Sequence, residues 1–153
     1  MRGDPGGLPG ISIIMSTWNR AAMLPRAVGS VLGQRCQDWE LIIVDDGSDD
    51  DTWAVIAAYA RDPRIRPFRR ERSGPSAARN FALSQSRAEI IAYLDSDNEW
   101  CPDYLTAMLG VFHEHPDLQS AYCAIRRIEP SGSSFVHLTE FDAALLAERN
   151  SST

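Results

Sequence analysis

Four short apolar runs, separated by stretches long enough for a helix, constrain this chain more than any other feature. The runs are Ile11–Met15 (ISIIM), Glu40–Val44 (ELIIV), a weaker Arg64–Phe68 (RIRPF) and Glu89–Leu94 (EIIAYL). Continuous apolar runs mark strands covered on both faces, as parallel strands are. Between them lie Ala21–Gln34, Asp50–Ala60 and Ser76–Ser86, each long enough for a crossover helix. In the second, Trp53, Ile56, Ala57 and Ala60 recur at helical spacing. Asp49–Asp51 load its first turn with the negative charge that a helix dipole favours. A fourth helix is expected from Pro102, a good first-turn residue, to about His113, with Pro116 beyond its end. Strand–helix–strand units of this length predict an α/β doubly wound fold, a mostly parallel sheet with helices on both faces. Past Leu118 the pattern predicts a strand over Ala121–Ile128, a turn over Pro130–Ser133 and a returning strand over Phe135–Leu138. A short helix from Glu140 to Arg149 follows.

The chain has 153 residues, enough for one domain and one sizeable core. Residues 1–10, MRGDPGGLPG, read as a flexible tail without the apolar stretch of a secretory signal, and 11–153 as a single domain. No apolar run approaches the roughly 18–20 residues that cross a bilayer. A formal charge of -6 disfavours nucleic acid as a partner. All 15 positive residues are arginines, which removes Schiff-base chemistry, P-loop phosphate binding and any site built on a catalytic lysine. Six of those arginines crowd into RDPRIRPFRRER (residues 61–72), read as an edge strand protected by charge. Cys36, Cys101 and Cys123 form no C-x-x-C pair and read as reduced thiols of a cytoplasmic protein.

In open parallel sheets, ligands bind beyond the carboxyl ends of the strands, where the strand order reverses. The residues there are Ser16, Thr17 and Asn19 after the first run, and Asp45, Asp46, Gly47 and Ser48 after the second. Asp95, Ser96, Asp97 and Asn98 follow the fourth. Asp95 and Asp97 form a D-x-D that we place in extended backbone at a strand end, where side chains two apart face one space. Two carboxylates with open neighbouring positions suit Mg²⁺ or Mn²⁺ shared with a diphosphate, because hard cations take oxygen ligands. SGPSAARN (Ser73–Asn80) sets small residues at a helix start and offers Arg79 as a cation. Competing owners of such acids fail. An EF-hand loop from Asp95 would need glycine where Trp100 stands, and receiver domains and haloacid-dehalogenase phosphatases both need a lysine.

Taken in order, ISIIMSTWNR, WELIIVDDGSDDDT, GPSAARN and IIAYLDSDNEWCPDYL resemble the motifs of the family 2 glycosyltransferases, with their Rossmann-like GT-A fold. The resemblance covers about residues 11–115 and makes that stretch the donor-binding core. It implies an inverting enzyme that moves a sugar from a nucleoside diphosphate to a glycan, lipid or protein acceptor. Such chemistry would serve polysaccharide or cell-envelope glycan synthesis in the cytoplasm or at the inner face of the membrane. Carried over, Ser16 and Thr17 line the nucleotide pocket and Asn19 shapes its loop. Asp46 accepts from the base N–H with Asp45 in support, uracil being favoured. Arg79 holds base and diphosphate, Asp95 and Ser96 lie near the ribose or sugar, and Asp97 is the principal metal ligand with Asp95 beside it. Inversion also needs a general base on the acceptor hydroxyl. Glu129, Glu140, Asp142 and Glu148 are candidates, but none stands in a recognisable motif. The sequence therefore reads as the donor half of such an enzyme, C-terminally truncated and prone to self-association or to a partner chain. The alternative is a non-catalytic nucleotide-binding module.

The expectation is that the chain alone binds a nucleoside diphosphate and gives little sugar transfer. Labelled donors with Mn²⁺ and a panel of acceptors check this, and turnover of about one per second, typical of enzymes, would contradict it.

Overall fold

The computed structural model describes residues 8–123, 125–128 and 134–137, with no account of the side chains of 135–137. These residues fall into two compact units, one up to Ala107 and one from Met108. In chain order the first holds β1 (Ile11–Thr17), α1 (Leu24–Leu32), β2 (Trp39–Asp46), α2 (Thr52–Tyr59), β3 (Ile65–Arg70), α3 (Pro75–Ser84) and β4 (Ile90–Tyr93). It ends in the first residues of α4 (Tyr104–Glu114). The second unit carries the rest of α4 and an antiparallel pair, β5 (Ile125–Ile128) and β6 (Ser134–His137), in which Ile125 faces His137. The expected turn at Pro130–Ser133 and helix at Glu140–Arg149 lie outside the described residues.

The main sheet is parallel throughout, in the order β3-β2-β1-β4. The chain lays strands outward on one side of β1, then crosses back to place β4 on the other. The order therefore reverses between β1 and β4, and the crevice above that reversal is where such sheets bind ligands. β2 is buried along its whole length and β1 at all but Ser16. On one face Ile14, Ile42 and Val44 pack with Ala78 and Ala82 of α3, and Phe68 meets Phe81 edge to face at 5.3 Å. The alternate residues Ile13, Met15, Leu41 and Ile43 are equally buried, so both faces are covered. β4 is only half-buried and leaves Tyr93 exposed, unlike the fully covered strand that its apolar run predicts.

Element ends differ from the sequence expectation for local reasons. α1 starts at Leu24 rather than Ala21, because Pro25 has no N–H and is tolerated only in a first turn. Pro75 opens α3 in the same way. β2 runs on through Asp45 and Asp46, which pair in register with Thr17 and Arg70 and so lie in the strand rather than after it.

β3 is an edge of this sheet, and its arginines have intramolecular partners. Arg64 stacks on buried Trp39 at 3.9 Å, and Arg66 pairs with Glu40 at 2.8 Å. Arg69 donates to the Ser48 carbonyl and Arg70 to that of Ala77. Glu40 is the centre of a buried polar cluster below the sheet. Its Oε1 accepts from Ser12 Oγ at 2.6 Å and from the Arg87 N–H at 2.8 Å, while Oε2 accepts from Arg66. Burial alone would raise the Glu40 pKa. Hydrogen bonds from Ser12, Arg66 and Arg87, with the Arg66 charge, more than reverse this and hold it below the ordinary value of 4.5.

A folded-state pKa below the unfolded one stabilises above the unfolded value and is lost as pH falls through the folded one. Glu40→Gln should therefore cost about 1.5–3 kcal/mol at neutral pH, the worth of charge-assisted bonds. The gap to the parent should narrow as pH falls below 4.5. Urea denaturation at neutral and acid pH checks both, and a gap that stays constant with pH contradicts the assignment.

Candidate functional site

Each strand end at the crevice is followed by a loop whose geometry a polar side chain fixes. After β1, Asn19 adopts φ 51, a left-handed conformation that asparagine tolerates better than most residues. Its Nδ2 donates to Asp49 Oδ1 at 2.5 Å, and its Oδ1 accepts from the Asp49 N–H at 3.0 Å. Its own N–H donates to Ser48 Oγ at 2.9 Å. The β1 loop is thus bonded to the β2 loop. Within the latter, fully buried Asp45 accepts from the Ser48 N–H and hydroxyl through Oδ1, and its Oδ2 faces Arg69 Nε at 3.4 Å. Gly47 sits at φ 74, where a Cβ would lie 2.8 Å from the Arg72 nitrogen, so no other residue fits. Asp50 accepts from the N–H groups of Thr52 and Ala21. Hydrogen bonding from Thr52 lowers its pKa.

The start of α3 is held in a similar way. Asp46 Oδ1 accepts from the Ser73 N–H at 2.8 Å and the Ser73 hydroxyl at 3.1 Å, and Oδ2 accepts from the Gly74 N–H at 2.8 Å. Gly74 has φ 93 and ψ 158, a region open essentially to glycine alone.

The D-x-D departs from the extended backbone expected of it. β4 stops at Tyr93, and Leu94 adds one more ladder bond, its N–H to the Ile14 carbonyl at 3.0 Å. The chain then turns, with the Asn98 N–H bonded to the Asp95 carbonyl at 3.0 Å. Four consecutive polar residues favour such a turn over the ladder. Both carboxylates still reach the crevice. Arg79 donates to Asp95 at 2.7 Å, and Arg20 lies 3.8 Å from Asp97. The Asp95 and Asp97 side chains are 53% and 47% exposed, so these ion pairs are worth at most about 1 kcal/mol and do not seal the acids from a ligand.

These elements enclose a cleft of about 310 Å³. Of the residues expected there, Ser16, Thr17, Asp46, Arg79, Asp95, Ser96 and Asp97 line it. Asn19 and Asp45 do not, and act on the loops behind it. Trp18, Arg20, Arg72, Gly74 and Pro75 complete the lining and are additions to the expected set. Trp18 and Arg20 belong to the STWNR motif, and a tryptophan among hydroxyl and amide residues was the available signal. Arg72 stacks 3.6 Å from the Trp18 ring centre, but nothing distinguishes it in sequence from its arginine neighbours. Thr17 Oγ1 is buried in the cleft wall without a hydrogen-bond partner. Among the described residues no group of three or more His, Cys, Asp or Glu could hold a metal by itself. Two half-exposed carboxylates fit a cation whose remaining ligands are phosphate and water oxygens. Glu129, Glu140, Asp142 and Glu148 lie outside the described residues.

A Cβ at Gly74 would meet nothing within 4 Å, so its requirement for glycine is conformational and not steric. Gly74→Ala should cost about 1–3 kcal/mol in thermal unfolding through backbone strain alone. A variant as stable as the parent would contradict the conformation assigned to this turn.

The sequence matches Glycosyl transferase family 2 over residues 12–151. WcaA of Escherichia coli (strain K12), named as a colanic acid biosynthesis glycosyl transferase, is 42% identical over 106 residues, which are 67% of this chain and 37% of that protein. The succinoglycan biosynthesis protein ExoO of Rhizobium meliloti (strain 1021) is 34% identical over 92% of this chain and 39% of its own length. The chain thus spans well under half the length of these relatives. Among solved structures, S. aureus TarS in complex with UDP-GlcNAc superposes with a TM-score of 0.65 at 26% identity, covering 69% of this chain and 32% of that one. A mannosyltransferase from Pyrobaculum calidifontis, in complex with GDP-Man and Mn²⁺, gives 0.63 at 26% identity over 71% and 34%. The parallel sheet, the cleft at its point of strand reversal and these likenesses agree, and the chain belongs to glycosyl transferase family 2.

Proposed function

We propose that the cleft binds a nucleoside diphosphate sugar with a divalent cation, and that the sugar is transferred to an acceptor hydroxyl with inversion. The observation that carries this reading is the pairing of Asp95 and Asp97, half exposed on one turn, with the β1 loop across the strand reversal. The nucleotide sugars in the TarS and mannosyltransferase structures, and the Mn²⁺ in the latter, support it.

Asp97, with Asp95 beside it, would hold Mn²⁺ or Mg²⁺. When bound, the cation supplies Lewis-acid stabilisation of the charge that grows on the departing diphosphate. Arg79, adjacent to Asp95, would add a guanidinium to the same oxygens. Ser16 and Ser96 offer hydrogen bonds to the nucleoside, with Thr17 in the wall beside them. Asp46 Oδ2 has one bond, from Gly74, and a carboxylate oxygen accepts a second. That capacity suits the N3–H of uracil, so a UDP-sugar is the favoured donor. The free thiols of Cys36, Cys101 and Cys123 fit a reducing, cytoplasmic setting. Names such as colanic acid and succinoglycan among the relatives favour a glycan acceptor in polysaccharide assembly.

Calorimetry with UDP, with and without Mn²⁺, tests the two acids separately. Asp97→Ala should remove the Mn²⁺-dependent part of the affinity and leave thermal unfolding unchanged. Affinity that still responds to Mn²⁺ as in the parent takes this residue out of the site. Asp46→Asn loses a charge-assisted bond of about 1.5–3 kcal/mol and should weaken UDP binding at least about tenfold. It should also lower the melting temperature, because an amide N–H would face that of Gly74. UDP binding equal to the parent's would end the base-reading role.

A further inference from the structure

The segment after the D-x-D is irregular, with β4 ending at Tyr93 and α4 starting at Tyr104. Irregular backbone has no ladder of its own, so something must satisfy its polar groups and fix its path. That partner is α1. Arg26, Ser30 and Gln34 recur every four residues from α1 to just past its end, which sets them on one stripe. Each meets the segment in turn. Arg26 donates to the Asp97 carbonyl at 3.1 Å and pairs with Glu99 at 2.5 Å. Ser30 Oγ accepts from the Trp100 N–H at 3.1 Å. Gln34, only 2% exposed, donates to the Cys101 carbonyl at 2.7 Å and accepts from the Leu105 N–H at 3.0 Å. The Arg35 N–H adds a bond to the Pro102 carbonyl at 2.9 Å.

We propose that this polar stripe of α1 positions the Asp95–Asp97 turn, so that Arg26, Ser30 and Gln34 set the affinity of the cation site without touching the cation. The proposal rests on the donor-binding reading above. A helix that only packed against the segment would present apolar side chains. Here a buried amide is committed to the Cys101 carbonyl of that segment and to the Leu105 N–H in the first turn of α4, and the first bond of the series falls on the backbone of Asp97 itself. The loop that enters α1 also carries Trp18 and Arg20, which line the same cleft, with Arg20 3.8 Å from Asp97. One helix is therefore tied to both the β1 loop and the Asp95–Asp97 turn. Groups that orient metal ligands through hydrogen bonds change metal affinity when removed, though they are not ligands.

The test is calorimetry of UDP binding in Mn²⁺ and in EDTA, joined to amide hydrogen exchange across residues 95–105. Gln34→Met keeps the side-chain volume and removes its bonds to Cys101 and Leu105, together with one to the Ser30 carbonyl within α1. Arg26→Met alters an exposed side chain with little risk to folding. In both, the gain in UDP affinity from Mn²⁺ should fall by about tenfold, with affinity in EDTA unchanged, and the 95–105 amides should exchange faster. A full Mn²⁺ gain despite faster exchange would overturn the proposal. So would an equal loss with and without Mn²⁺, the mark of a structural role only. A parent chain whose UDP affinity ignores Mn²⁺ would instead count against the donor-site reading. Hydrogen exchange in the variants would then still report on α1: faster exchange confined to 95–105 supports its hold on the turn, and unchanged exchange refutes it.

Discussion

The burial of β1 and β2 on both faces is the constraint from which the rest of the molecule follows. Strands with no wet face need helices on either side, and parallel pairing with crossovers supplies them. Because the chain returns past β1 to lay down β4, the loops after β1 and β4 are left apart at one edge with a crevice between them. Polar groups in those loops cannot be satisfied by the sheet, so side chains must fix them. Asn19 and Asp45 hold the β1 and β2 loops, Asp46 holds the entry to α3, and the α1 stripe holds the segment after the D-x-D.

Burial divides the acids of this edge by task. Asp45 is fully buried and Asp46 is 4% exposed; Oδ1 of Asp45 and both oxygens of Asp46 accept from neighbouring backbone. Asp95 and Asp97 are about half exposed and meet only flexible guanidinium groups, which a cation or a diphosphate can displace at small cost. Among the described acids Asp46 both lines the cleft and supports a loop, so the proposed base-reading role would couple nucleotide binding to the entry of α3.

Much of this was legible in the sequence, because the strong signals are local. Continuous apolar runs marked the strands, and several of the acids after them line the cleft at the strand ends. The motif order carried the family. What was not legible depends on tertiary geometry. Asp45 and Asp46 are neighbours in sequence, yet side chains alternate along a strand, and only the fold decides which of the two faces the cleft. The D-x-D reads as extended because the apolar run before it reads so, and the turn appears only once β4 is seen to end at Tyr93. Arg72 is one of six arginines in twelve residues, and its place over Trp18 has no local signature. The polar stripe of α1 has the appearance of a solvated face until the segment that covers it is known.

The central claim is that this edge of the sheet binds a nucleotide diphosphate through a cation on the D-x-D. Anomalous diffraction at the manganese edge, from crystals of the chain grown with UDP and Mn²⁺, tests it most directly. The account predicts one anomalous peak within coordination distance of an Asp97 carboxylate oxygen, bridged to the diphosphate, with the uracil beside Asp46. A manganese peak away from Asp95 and Asp97, or a nucleotide bound outside this cleft, would contradict it.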